Sequence, residues 1–174
     1  MPKEKIVVLM GSPRDLQFAI KVKEYLKKEK LAVNCVYDVA SAHRTPEKLL
    51  SDIKTFDASG DNIVYITVAG LSDALSGVVA GSTLNPVIAC PPDSEELGSE
   101  KIFSCTAMPK GIPVAFVVKP ENAALVAVRI FAISNPELKK CLECLKEKMA
   151  KEVHDGAEEV TKITQKKNVN RLAV

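Results

Sequence analysis

The sequence lacks most of the features that would fix its chemistry directly. No apolar run approaches the roughly 20 residues needed to span a bilayer. The apolar stretch Ile6 to Met10, behind Met1-Pro2-Lys3-Glu4-Lys5, is too short for the core of a secretory signal. A cytoplasmic protein with no membrane partner is therefore expected. Charge of either sign is not in excess: 24 Lys and Arg against 22 Asp and Glu leave a net +2, which argues against a nucleic-acid partner. The locally basic stretch 162–171 reads as a solvated tail.

Cysteine is sparse. Five residues, at positions 35, 90, 105, 141 and 144, are odd in number and scattered, so they make no disulfide scaffold. No second Cys or His pair lies at a ligand spacing, so no metal site is expected. Cys141 and Cys144 read as buried thiols sharing a helix face with Leu138, Leu142 and Leu145. Only two histidines are present, and His154 falls in a charged tail where solvation suffices for it. There is no carboxylate pair and no Ser/His/Asp order. Gly11 has no following G-x-x-G, and no phosphate-loop lysine follows it either. No internal repeat and no domain boundary appear, so 1–174 is expected to be a single domain, with 151–174 a charged tail, helical or frayed.

What the chain does have is alternation. Apolar runs at 6–10, 63–68, 87–90 and 113–118, and the alternating stretch 31–37, read as five strands. Between them lie helical patterns from Asp15 to Lys30, from Thr45 to about Phe56, from 121 to 133, and from Pro136 through Met149. Residues 69–81 form a small, Gly/Ser-rich loop feeding a helix, and 93–111 is irregular with a short helix near Lys101. Thr45 can cap its helix, with Pro46 at the first position and Glu47 at the positive end. Strands alternating with helices imply an α/β fold of three layers, a mostly parallel sheet of flavodoxin-like or Rossmann-like type with C-terminal helices.

In such a sheet, ligands gather at the carboxyl ends of the strands. The loops there are Gly11-Ser12-Pro13-Arg14-Asp15, Ser41-Ala42-His43-Arg44, Ala69 to Gly77, and Cys90-Pro91-Pro92. They are rich in small residues, hydroxyls and prolines, whereas the opposite strand ends are ordinary charged turns. Ser12 can donate to a phosphate held at a helix start, and Asp15 can cap that helix or accept from ribose hydroxyls. A plain βα turn fits the same residues. His43 is either a turn histidine bonded to backbone or an imidazole that moves a proton beside the Arg44 guanidinium. The residues alone support a small anionic ligand and one proton-moving group, and they name no reaction.

Gly11-Ser12-x-x-Asp15, Ser41-Ala42-His43-Arg44-Thr45-Pro46, Ala69-Gly70, Pro86-Val87-Ile88 and Met108-Pro109-x-Gly111 together resemble the PurE family of purine biosynthesis, in order from about Ile6 to Met149. The family has two branches. Carboxylases make 4-carboxy-5-aminoimidazole ribonucleotide from aminoimidazole ribonucleotide and CO2, and mutases make it from N5-carboxyaminoimidazole ribonucleotide. Arg44 resembles the mutases. The third loop, Cys90-Pro91-Pro92 and the longer turn before strand three resemble the carboxylases, and the second histidine that mutases carry in the third loop is missing. The resemblance therefore implies the CO2-dependent carboxylase, with the mutase as the alternative and a diverged, non-catalytic ribonucleotide-binding paralogue as a second one.

The resemblance further implies that Ser12, Asp15 and Arg44 hold the ribose phosphate, with Gly11 among the substrate-binding residues. Ser41 and His43 should flank the base, with His43 taking the proton from carbon 4. Ala69, Gly70, Leu71 and Ser72 should line the CO2 pocket. It implies no metal, biotin or ATP, and it implies a homo-octamer in which the C-terminal helix reaches a neighbour. Three departures stand out. Arg14 replaces a serine, Leu71 and Asp73 replace the carboxylases' arginine and asparagine, and Cys105-Thr106-Ala107 differs from the usual segment. Asp73 is expected to place a negative charge near the product carboxylate unless Arg44 or Lys110 pairs with it.

Overall fold

The computed structural model describes residues 3–92 and 100–171. Five strands form one all-parallel sheet in the order β2-β1-β3-β4-β5, the flavodoxin-like arrangement. The strands are β1 (Glu4–Met10), β2 (Asn34–Val39), β3 (Asn62–Val68), β4 (Val87–Ala89) and β5 (Ala115–Phe116). The helices are α1 (Leu16–Lys28), α2 (Pro46–Asp57), α3 (Ala74–Ser82), α4 (Glu100–Thr106), α5 (Pro120–Phe131) and α6 (Pro136–Arg171). Residues 93–99 of the expected irregular stretch lie outside the described residues.

β1 and β3 are the central pair, buried on both faces as their unbroken apolar sequences require. Side chains alternate between the two faces. Ile6, Val8, Met10, Val64 and Ile66 pack with α1, α5 and the start of α6, while Val7, Leu9, Ile63 and Tyr65 pack with α2 and α3. The α5 face is built of Ala123, Ala124, Ala127 and Val128, all fully buried, and small residues there let the helix sit close to the sheet. Asn135 caps α6 by accepting from the N–H groups of Glu137 (3.0 Å) and Leu138 (3.2 Å). Its amide nitrogen reaches back to Glu4 on β1 (2.8 Å).

Several boundaries differ from expectation. β2 begins at Asn34 rather than Leu31, because the chain first closes α1 with Lys30 at φ 55° and a bond from the Leu31 N–H to the Leu26 carbonyl (2.9 Å). Leu31 and Cys35 keep the expected inward phase. β5 has two residues, not six, since Pro113 has no N–H to give the ladder. α6 runs 36 residues, far past Met149. Cys141 and Cys144 are exposed, not buried as expected. Leu138, Leu142 and Leu145 fall within roughly 60° of one another at 3.6 residues per turn, whereas Cys144 falls about 120° from Leu138.

Candidate active site

The chain leaves the sheet in opposite directions from β1 and β3, and the crevice between their carboxyl ends is where such folds hold ligands. A wide cleft of about 1550 Å³ opens there. Its walls come from the loops after β1, β2 and β3 together with Pro92 after β4. The Gly11 N–H donates to the Val68 carbonyl (2.8 Å) and the Ala40 N–H to the Met10 carbonyl (3.0 Å), so the three loops start from one rigid platform.

The His43 turn is closed at its base. The Thr45 N–H donates to the Ser41 carbonyl (2.9 Å), and the Ser41 N–H donates to Thr45 Oγ1 (2.9 Å). Thr45 thus spends its hydroxyl on Ser41 and not on α2, where it makes no side-chain cap. Ser41 Oγ accepts the Arg44 N–H (3.2 Å). The result is a short arch that displays His43 and Arg44 to solvent over the cleft, with Ala42 half-buried against the core beside them. Lys48 occupies the next turn and is held by Asp38 (3.0 Å) and Asp52 (2.6 Å). Burial pushes the Asp38 carboxyl up, but the Lys48 ammonium and the Val39 N–H outweigh it and hold the group below its ordinary value. The Arg44 charge, by contrast, faces the cleft.

The first loop is tied by a reciprocal pair. Ser12 Oγ accepts the Arg14 N–H (3.3 Å) and Asp15 Oδ2 accepts the Ser12 N–H (3.1 Å). Asp15 therefore braces the loop before α1 instead of capping α1 itself. Its Oδ1 lies against Gly70, where an added Cβ would sit 3.5 Å away, so the first and third loops touch through a carboxylate.

The third loop departs from expectation. Leu71 is 56% exposed and faces the cleft, but Asp73 is only 4% exposed and does not line it. Asp73 turns under the loop, where Oδ1 accepts the Ser76 N–H (3.0 Å) and caps α3, while Oδ2 accepts from the Ser76 hydroxyl and from Cys105 Sγ (3.0 Å). Burial of the helix start draws this side chain inward, so neither Arg44 nor Lys110 pairs with it. The negative charge expected near the product is thus removed from the cleft.

A family model described as AIR carboxylase matches residues 5–152. The chain belongs to the AIR carboxylase family. It is 38% identical over 156 residues to a phosphoribosylaminoimidazole carboxylase of Archaeoglobus fulgidus, covering 90% of this chain and 84% of that one. It is 41% identical over 157 residues to an N5-carboxyaminoimidazole ribonucleotide mutase of Methanocaldococcus jannaschii, covering 89% and 96%. Among solved structures it is similar to Treponema denticola PurE, with TM-score 0.84, 36% identity, and coverage of 88% and 96%. Both branch names of the AIR carboxylase family thus occur among its relatives.

All ten residues singled out from the sequence (Gly11, Ser12, Asp15, Ser41, His43, Arg44, Ala69, Gly70, Leu71 and Ser72) line the one cleft. Sequence reasoning missed Gln17, Phe18 and Lys21, which extend the wall along α1. The Lys21 ammonium lies 5.7 Å from the centre of the Phe18 ring, a cation–π distance. Their spacing from Arg14 at three, four and seven residues is the signal of a single helix face, hidden by the stronger apolar face of Ala19, Val22 and Leu26. Among the described residues, no three His, Cys, Asp or Glu side chains gather to hold a metal ion, and no helix is long and apolar enough to cross a membrane.

Proposed function

We propose that this chain carboxylates 5-aminoimidazole ribonucleotide with CO2 to give 4-carboxy-5-aminoimidazole ribonucleotide, a step of purine biosynthesis in the cytoplasm. The observation that carries this reading is a cleft with a single imidazole, His43, facing a wall of Ala69, Gly70, Leu71 and Leu75. The other histidine, His154, lies far along α6. Gly11, Ser12, Asp15 and Arg44 hold the ribose phosphate, and Arg14 and Lys21 add positive charge on the same side. Ser41 and His43 flank the base.

The ring amine makes carbon 4 electron-rich, so it attacks CO2 directly and a carbon–carbon bond forms. His43 then removes the proton from that carbon, aromaticity returns, and the products are the carboxylate and one proton. One imidazole suffices for one transfer, with a contribution of about 10²–10⁴-fold. CO2 is small and neutral. It is held best by a dry, apolar wall with backbone N–H groups near the forming carboxylate, which fits Leu71 better than a charged residue.

The cleft of a single chain is wider than the ~300–1,000 Å³ of a typical small-molecule site. Excluding water from it calls for a further surface. On α6, the stripe begun by Leu138, Leu142 and Leu145 continues through Met149, Val153, Val160 and Ile163, all exposed. A second copy of the chain is the occupant proposed for that stripe, in a homo-octamer, and sedimentation showing a monomer would contradict it.

Arg44 and the identity to a mutase favour a second reading, in which N5-carboxyaminoimidazole ribonucleotide is the substrate and its CO2 is released and recaptured in the cleft. The deciding experiment gives purified protein either aminoimidazole ribonucleotide with bicarbonate or the N-carboxylated isomer and follows product by absorbance. Turnover of the first pair is expected. Turnover of the isomer alone would select the mutase, and binding with no turnover of either would select a non-catalytic paralogue.

A further inference from the structure

We infer that Asp73 and Cys105 form a positioning pair that fixes the shape of the third loop, and with it the wall of the site. The inference rests on the reading above in one respect, that this wall is where CO2 is held. Two departures recognised separately in the sequence, Asp73 and Cys105, meet in the structure with Cys105 Sγ 3.0 Å from Asp73 Oδ2. Cys105 is fully buried and Asp73 nearly so.

Capping α3 accounts for only one oxygen of Asp73. The cap is the bond from the Ser76 N–H to Oδ1 (3.0 Å), and a serine, threonine or asparagine could supply it. The second oxygen does something else. It accepts from both the Ser76 hydroxyl and the Cys105 thiol, bonds strengthened by the carboxylate charge in a site closed to water. The main chain of the same residue is gripped as well, since the Asp73 N–H donates to Ser104 Oγ (3.3 Å). Two consecutive side chains of α4 therefore hold one residue at the end of the third loop.

The chain of bonds also reaches the start of that loop. Ser76 Oγ lies 2.7 Å from Thr67 Oγ1. With the Ser76 hydrogen donated to Asp73, Thr67 is the donor of this bond, sharing its hydrogen with the Ile88 carbonyl at 3.3 Å. Thr67 is in β3, one residue before Val68, whose carbonyl receives the Gly11 N–H. A buried polar chain from Thr67 through Ser76 to Asp73 thus ties together the two ends of residues 69–72, and Cys105 locks that chain to α4. Among the described residues no such chain of bonds reaches the exposed tip at Leu71, so its position follows from its ends. Asp73 and Cys105 act on the reaction only through the loop. Of the ribose-phosphate groups, Gly11 and Asp15 meet this loop only at its first residues, Ala69 and Gly70, ahead of the tip at Leu71.

The test uses the full chain and the variants Cys105→Ala, Cys105→Ser and Asp73→Asn, each assayed with aminoimidazole ribonucleotide plus bicarbonate and with the N-carboxylated isomer. Cys105→Ala should lower kcat about tenfold, within the roughly 10²-fold that an ångström of misplacement can cost, while KM for the ribonucleotide stays within about twofold. Cys105→Ser keeps a donor and should restore kcat. Asp73→Asn keeps the cap but loses the charged acceptor, so it should resemble Cys105→Ala and serves in its place if that variant fails to fold. Parental kcat in both Cys105→Ala and Asp73→Asn, or a fall in kcat and KM together that serine does not rescue, would overturn the inference. Amide exchange without substrate separates it from the reaction itself. Exchange at the Asp73 and Ser76 amides, which donate to Ser104 Oγ and Asp73 Oδ1, at least tenfold faster in Cys105→Ala, with β1 unchanged, sustains the loop-fixing role even if the parent turns over neither substrate, an outcome that would reject the catalytic readings alone. Unchanged exchange would sink the pair whatever the activity.

Discussion

The two ends of the sheet treat polar side chains in opposite ways. At the amino ends of the strands, Asp57 collects the Tyr65 hydroxyl (2.7 Å), the Thr83 hydroxyl (2.7 Å) and the Asn85 amide (2.9 Å). Lys5 pairs with Asp61 close by. Each polar group there is consumed by another. At the carboxyl ends, bonds among Ser12, Asp15, Ser41 and Thr45 shape the backbone of the loops, while His43, Arg44 and Leu71 are turned outward. Self-satisfied networks lock a fold, and side chains held out from a braced loop are free to meet a ligand. The comparison predicts that damage at one end removes stability and leaves chemistry, with the reverse at the other.

The largest expected effect tests the carboxyl end. His43→Asn should cut turnover by about 10²–10⁴-fold and leave the melting temperature unchanged, because His43 is exposed and its arch is closed by Ser41 and Thr45. Full activity in that variant would remove the proton-transfer role. The converse is Asp57→Ala, which takes the short acceptor from the Tyr65 hydroxyl, leaving it the Ile53 carbonyl at 3.4 Å, and also removes the acceptor of Thr83 and Asn85. Urea unfolding should show a loss of roughly 2–3 kcal/mol with kcat near parental, and a kcat that fell with stability would break the contrast.

Alkali probes the floor beneath the cleft. Burial, and then the negative charge of Glu121, push the Cys90 thiol up to about 12. The folded state therefore favours the neutral thiol. This contribution is whole below the unfolded thiol value near 9 and is lost as pH rises toward 12. Unfolding curves at pH 9 and 10.5 should differ by on the order of 2 kcal/mol, and Cys90→Ala should flatten the slope. Burial raises the Cys35 thiol and the Tyr65 hydroxyl in the same direction, so some slope persists in the variant. The smallest effect lies at neither end. Lys30→Gly should stabilise by about 0.5–1 kcal/mol, since Lys30 holds a left-handed conformation at φ 55°.

How much of this could be read from the residues depends on whether a local pattern or a distant partner decides. β1 and β3 were legible because strands buried on both faces are written as unbroken apolar runs. The four loops were legible because small and hydroxyl residues cluster at one end only. Asp73 was not. Next to Ser72 and Gly77 it reads as a loop residue facing ligand, and its true partner, Cys105, is 32 positions away. β5 was overdrawn because an apolar stretch says nothing about whether its N–H groups find a ladder. The exposure of Cys144 was missed because a three-residue spacing fits a helix face only when the face is centred correctly.

One feature of α6 bears on how the protein behaves in solution. Gly156 sits in the interior of a 36-residue helix, where glycine costs about 1 kcal/mol relative to alanine. The roughly 15 residues beyond it are about as long as the shortest helix that survives alone in water. Among the described residues the body anchors the first half, through Leu138, Leu145 and the Lys148–Glu29 pair (2.7 Å), so the outer half is expected to melt as a separate unit. If a second copy covers it, its helicity is set by mass action, so circular dichroism of this segment rises with protein concentration while the sheet does not change.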